Sequence, residues 1–232
     1  MHGGRKKVAI FDIDGTIFRS SLLIELVEAL IQAGIFKPGV RRIYARDKIK
    51  WLDRKGDYEA YIMSVVAAFR RNIRGVRFVD FDRVAKRVVA FHKDRVYRYT
   101  RDLVRELKKK NYYVLAISHS PKAAVDAFCR NLGFSKVYGL MYEVDAKGKF
   151  TGCMMHEELI FDKAAILSRA LEKERLTLRG SVGVGDTESD IRFLKLVETP
   201  ICFNPNAKLY RAAKRNMWKV VVERKDVIYR IQ

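Results

Sequence analysis

The sequence predicts an α/β fold, a core built on a parallel sheet with a helical subdomain inserted into it. Three observations carry this. Val8, Ala9, Ile10 and Phe11 form a short continuous apolar run, the composition of a strand buried on both faces. A second buried strand, Ser181 to Gly185 (SVGVG), recurs far downstream and is likewise followed by an acid, Asp186. Between about residues 17 and 112 no strand pattern occurs, while helical periodicity repeats. A crossover between parallel strands needs a single helix, so the surplus helices read as an insertion over the strand ends.

The first run stops at Asp12-Ile13-Asp14-Gly15-Thr16. Alternation points Asp12 and Asp14 the same way, and Gly15 lets the chain turn sharply beyond them. Two carboxylates then stand at the C-terminal end of a central strand, where open α/β sheets bind ligands. Neighbouring carboxylates repel unless a cation joins them. Mg²⁺ suits such a site, because it takes hard oxygen ligands and shares them with phosphate. One Asp is then free to act as nucleophile and the other to handle a proton. The competing reading is a strand-end Asp pair that caps the next helix.

Ser20 to Gly34 has helical spacing with a Ser start and a Gly stop. Helices are expected at about 39–54 and 57–73, meeting near Gly56, and at about 79–96. Tyr99 to Asn111 reads as the helix that returns to the core. The strand 112–118 ends in Ser118-His119-Ser120-Pro121, with Pro121 in the first turn of the following helix. A Ser hydroxyl with backbone N–H groups at a helix start is an anion site, or simply an N-cap. Alternating residues on either side of Asp145–Lys149 predict a hairpin. Lys163 falls in the first turn of a helix, an unfavourable place for a cation unless it serves an anion. Asp186 ends the second buried strand, and Glu188, Ser189 and Asp190 open the next helix, as capping groups or as part of a metal site. Thr199 to Asn204 predicts a further strand, Asn206 to Trp218 a helix, and Lys219 to Glu223 a last, edge strand. Arg224 to Gln232 reads as a loosely held tail.

The net charge of +20 favours anionic partners, such as phosphorylated metabolites, nucleic acid or an anionic membrane surface. A general basic bias of the host's proteins gives the same number. Residues 17–105 hold 21 Lys+Arg against 10 Asp+Glu, so over half of the excess sits in the insertion. Its interleaved aromatics, Tyr44, Trp51, Tyr58 and Tyr61, fit either nucleic-acid contact or a helical core. Three well-separated cysteines without metal spacing fit a reducing compartment. The apolar run after the basic start MHGGRKK is too short for a signal peptide, and no stretch approaches 18 apolar residues. A cytoplasmic protein is the expectation. Nothing in the sequence addresses oligomeric state.

DIDGT, SHSP, Lys163 and GDTESD occur in the order and broad spacing of the haloacid dehalogenase superfamily, which the chain resembles along its whole length. Helices between the first two motifs, SHSPKAAVDAFCRNLGF, the DAKGKFTG hairpin and PICFNPNAKLYRAAKRNMW look like its subfamily IB, which includes phosphoserine phosphatase. The resemblance implies a Rossmann-like core over 1–17 and 100–232, with a helical cap over 18–99. It implies a Mg²⁺-dependent phosphomonoester hydrolase acting on a small phosphorylated substrate. Asp12 would be the nucleophile, forming an aspartyl phosphate, and Asp14 the general acid and base. Ser118 and Lys163, with His119 beside them, would meet the phosphoryl group. Asp12, Asp14 through its carbonyl, and Asp186 would bind the metal, with Asp190 and Thr16 in support. The family's phosphoserine phosphatases carry an early cap Glu that grips the substrate amine, whereas Phe18 to Leu22 has none. That departure, with the basic insertion, makes a doubly anionic or polyanionic substrate the expectation. A phosphotransferase, a nucleic-acid or anionic-surface binding module, and a polynucleotide end-phosphatase are the alternatives.

Overall fold

The computed structural model describes residues 5–231. Residues 1–4, part of the basic start, and Gln232 of the expected tail lie outside that range.

Strand β1 (Lys6–Asp12) is followed by helix α1 (Leu22–Gln32), a short 3₁₀ turn at Pro38–Ile43, and helices α2 (Ala45–Leu52), α3 (Tyr58–Asn72), α4 (Phe78–His92) and α5 (Arg98–Lys109). Then come β2 (Tyr113–Pro121), α6 (Lys122–Cys129), the hairpin β3 (Lys136–Val144) and β4 (Phe150–Met155), α7 (Glu157–Ile160) and α8 (Lys163–Lys173). The chain closes with β5 (Leu176–Gly185), a 3₁₀ turn at Glu188–Asp190, α9 (Ile191–Leu194), β6 (Thr199–Phe203), α10 (Ala207–Asn216), β7 (Lys219–Arg224) and β8 (Val227–Ile231).

The eight strands form one sheet in the order β4-β3-β2-β1-β5-β6-β7-β8. The inner pairs from β3 to β7 are parallel, and β4 and β8 pair antiparallel with their neighbours. Strand order departs from β1 in both directions, so the C-terminal end of β1 is the switch point where such sheets place a ligand. Pairing in register brings Asp12 beside Ile117 and Phe11 beside Val184. The three strand ends that carry the acidic and serine motifs therefore meet.

The sheet is buried on both faces by alternate residues of the same strands. Ala9 and Phe11 join Val114, Ala116, Val182 and Val184 in one cluster, which α5 and α6 cover. Val8 and Ile10 join Leu115, Ile117 and residues of α8, α9 and α10 in the other. Helices α1, α3 and α4 build a separate core around Leu26, Leu30, Phe36, Phe69, Phe81 and Val88, which reaches Ala124 and Phe150. The aromatics of the helical block belong to this packing: Tyr44 and Tyr61 are buried, and Trp51 stacks on Tyr61 with ring centroids 5.6 Å apart. Trp51 and Tyr58, partly buried, pack against the same core. Among the described residues no helix is long and apolar enough to cross a membrane. Cys129, Cys153 and Cys202 are free thiols.

The expected tail is a strand. Residues 227–231 pair with β7, Val222 opposite Tyr229, through a two-residue turn in which Lys225 has φ 54°. Val227, Tyr229 and Ile231 alternate at the strand period, and β8, not β7, is the edge. The expected helix at 39–54 is also divided, because Pro38 opens a 3₁₀ turn before α2 begins.

Candidate active site

Asp12 is the last residue of β1 and is buried. Its Oδ1 accepts a hydrogen bond from Lys163 Nζ at 2.6 Å. Its Oδ2 is buried without a partner. Burial raises the Asp12 carboxyl to about 7; the Lys163 ammonium opposes the shift, and the carboxylates of Asp190 and Asp14 add to it.

Asp14 lies just past the strand and is held on two sides. Oδ1 accepts the Leu22 N–H at 2.5 Å. Oδ2 accepts from Ser118 Oγ at 2.6 Å and Ser120 Oγ at 2.9 Å. Burial raises its carboxyl above the usual range, against the pull of those bonds. Asp14, not the Ser21 side chain, thus caps α1. The capping reading of this acid is satisfied. Gly15 turns the chain with φ 78°, and a Cβ there would lie 2.1 Å from Asp186 Oδ2. Only glycine lets the two strand-end loops approach so closely.

Asp186 follows β5. Its carboxyl is raised well above normal by burial, then by Asp12 and Asp190. Asp190 is fully buried. Its Oδ1 accepts from Lys163 at 2.6 Å, and Oδ2 accepts the N–H groups of Asp186 and Thr187. Lys163 opens α8, whose N-cap Asp162 accepts from Ala164 and Ala165. Burial opposes the charge of Lys163, but Asp12 and Asp190 outweigh it and hold the ammonium. The cation in a helix's first turn is therefore explained by two anions.

Asp12, Asp186 and Asp190 each offer a carboxyl oxygen, all within 4.8 Å of one another. With Asp14, four acids, of which Asp12 and Asp190 are buried, surround one ammonium. The unpartnered Asp12 Oδ2 and this charge imbalance fit a divalent cation with hard oxygen ligands, as Mg²⁺ is. Both oxygens of Asp190 are already engaged, which suits it to hold Lys163 and the Asp186 loop in place.

Asp12, Asp14, His119, Lys163 and Asp186 line one cavity of about 360 Å³. Two further expected residues, Ser118 and Thr16, lie outside the lining, and a third, His119, reaches it. Ser118 is fully buried and does not line the cavity; its hydroxyl is committed to Asp14 rather than open to a phosphoryl group. Thr16 is also fully buried outside the lining, and its carbonyl accepts from Thr100 Oγ1 at 2.8 Å. His119 reaches the cavity with Nε2 unpartnered, and burial followed by Lys163 lowers it to about 4, so the imidazole is neutral. The sequence reading missed Ser120 as a partner of Asp14 and missed the α3 face, Tyr58 to Arg70, as a cavity wall. Ser120 stood next to a recognised motif. The α3 face carried no motif, only ordinary helical periodicity.

A parallel sheet with acids at its central strand ends, a buried lysine between them and helices above defines a hydrolase-type α/β site. The chain belongs to the haloacid dehalogenase-like hydrolases, whose family model matches residues 9–195. It is 26% identical over 222 residues to phosphoserine phosphatase SerB1 of Mycobacterium tuberculosis, covering 91% of this chain and 69% of that one. It is 22% identical over 228 residues to a histidinol-phosphatase of Neisseria meningitidis, covering 93% and 98%. Among solved structures, a protein of unknown function from Bordetella pertussis superposes with a TM-score of 0.73 at 16% identity, over 93% of this chain and 98% of that one. A phospho-aspartyl intermediate analogue of a phosphoserine phosphatase superposes with a TM-score of 0.63 at 22% identity, over 96% and 95%. These two likenesses show the shared fold.

Proposed function

We propose that the protein is a Mg²⁺-dependent phosphomonoester hydrolase that works through an aspartyl phosphate on Asp12. Helices at 18–99 act as a cap over a core of 1–17 and 100–232. The observation that carries the reading is the division of labour between two neighbouring acids. Asp12 has one oxygen fixed by Lys163 and the other without a partner, whereas both Asp14 oxygens are fixed, by the Leu22 N–H and by the hydroxyls of Ser118 and Ser120.

Asp12 is the group free to attack phosphorus and displace the alcohol in line. Asp14, whose burial favours the protonated form, gives its proton to the leaving oxygen. As a carboxylate it then takes one from the water that cleaves the acyl phosphate. Lys163 holds the nucleophile and offers its charge to the phosphoryl oxygens. Ser118 and Ser120 fix the Asp14 carboxyl group. Mg²⁺, held by Asp12, Asp186 and the Asp14 carbonyl, would neutralise phosphoryl charge. The mycobacterial and neisserial relatives, both named for phosphomonoesters, support this substrate class.

Hydrolysis of p-nitrophenyl phosphate with and without Mg²⁺, in wild type and Asp12→Asn, tests the reading. Metal-dependent turnover that vanishes in the variant is expected. Equal turnover in Asp12→Asn, or no turnover in folded wild type, overturns it.

A further inference from the structure

The basic character of the helical block does not extend into the cavity it covers. Lys163 and Arg70 are the cations among the cavity-lining residues. Lys163 is bound by Asp12 and Asp190, and Arg70 lies 3.6 Å from Glu157. Half-exposed Arg70, in a loose surface pair, is therefore the one lining cation outside the carboxylate cluster that a second anionic group would meet. For a substrate ammonium the helical block contributes a single lining acid, Glu59, at the border of the cavity, while Ser21 lines it early in that block.

Leu23, Ile62, Met63, Val66, Leu140 and Phe161 give the cavity an apolar wall away from the carboxylates, with Ser21, Glu59 and Arg70 at its borders. On α3 the lining positions Glu59, Ile62, Met63, Val66 and Arg70 follow one helical face. The apolar residues occupy its middle and the charged ones its ends. Leu23 of α1 joins that wall, and Leu140 and Phe161 stand among the lining residues supplied from outside the helical block. The neutral His119 ring lies 5.4 Å from that of Phe161 and extends their surface. Met63 is 54% exposed and Phe161 48% exposed, yet both line the same concavity. Large apolar side chains left in water at a concave site mark contact with a ligand. The volume, about 360 Å³, falls in the range of ~300–1,000 Å³ for small-molecule sites.

From this lining we infer that the cavity selects phosphomonoesters whose alcohol carries an apolar or aromatic carbon skeleton directly behind the ester oxygen. The inference rests on the phosphomonoesterase reading for its chemistry, and it replaces the doubly anionic substrate suggested by the charge of the chain. The charge of the helical block reflects its solvent face, while selection is made by the side chains that touch the alcohol.

Initial rates with ethyl phosphate, benzyl phosphate, phosphoserine and a ketohexose 1,6-bisphosphate test this. All four are esters of primary alcohols, which limits the influence of leaving-group acidity. In parallel, calorimetry measures ethylphosphonate and benzylphosphonate binding to Asp12→Asn protein with Mg²⁺. The expected kcat/KM for benzyl phosphate exceeds each of the others at least tenfold, equivalent to ~1.4 kcal/mol, and benzylphosphonate binds at least tenfold tighter than ethylphosphonate. Met63→Lys and Phe161→Ser, both at partly exposed positions, each lower the benzyl-to-ethyl ratio at least threefold. A preference for phosphoserine or the bisphosphate overturns the inference and leaves the hydrolase reading standing. Absence of turnover together with selective benzylphosphonate binding defeats the hydrolase reading and upholds the inference. Equal binding of the two phosphonates, or an unchanged ratio in both variants, overturns it.

Discussion

Lys163 Nζ lies 2.6 Å from Asp12 Oδ1, joining the start of a late helix to the end of the first strand across 151 residues of sequence. The same ammonium lies 2.6 Å from Asp190. Lys163→Met removes the cation paired with Asp12 and Asp190. We expect phosphatase activity to fall at least a hundredfold. Removing one partner of a buried ion pair costs ~3–5 kcal/mol, and urea denaturation of the metal-free variant should show a loss of that order. A fully active, equally stable variant would show that the pair has no part in the site.

Asp14→Asn keeps an acceptor for Ser118 and Ser120 but cannot donate and accept the proton as the acid does. Loss of a general acid–base group lowers rates by ~10²–10⁴. The loss in the phosphoryl-transfer step should be larger for benzyl phosphate than for p-nitrophenyl phosphate, whose leaving group needs no proton. Single-turnover rates with both esters check this; equal losses would place Asp14 in a structural role alone.

Gly15→Ala introduces a Cβ where φ is 78° and Asp186 Oδ2 lies 2.1 Å away. Strain of ~1–3 kcal/mol is expected for a non-glycine residue held in such a conformation, and Asp186 must also move. The variant should melt lower than wild type and bind Mg²⁺ at least tenfold more weakly by calorimetry. Wild-type metal affinity would show that the loop accommodates the methyl group without disturbing the site.

The raised carboxyl of Asp12, at about 7, sets a pH dependence. Its folded-state value lies above that of an unfolded aspartate, ~3.9. In the metal-free protein this group therefore contributes stability at low pH that is lost as pH rises from about 4 through about 7. Mg²⁺ must displace the same proton, so it should raise Tm more at pH 8 than at pH 5. Melting curves at both values with and without Mg²⁺ check the sign.

Much of the site was legible in local sequence because its parts end buried strands. Asp12, Asp14 and Asp186 each follow a short apolar run that fits a strand buried in a sheet, and Lys163 stood where a helix dipole disfavours it. Alternation across the strand also placed Asp12 and Asp14 in one site. The last strand was overlooked because its alternation is short and its turn, Lys225-Asp226, lacks the glycine or asparagine that usually announces a hairpin.

The sequence by itself determined the α/β order, the helical block between the first two strands and the chemistry of the strand ends, since these depend on periodicity and residue type within a few positions. Tertiary structure alone decided which partner each group takes. It placed Ser118 behind Asp14, lodged Lys163 between Asp12 and Asp190, and turned an unremarked face of α3 toward the cavity. Those contacts join residues tens to more than a hundred positions apart. Their geometry follows from strand order and from how two separate cores pack, which no local pattern records.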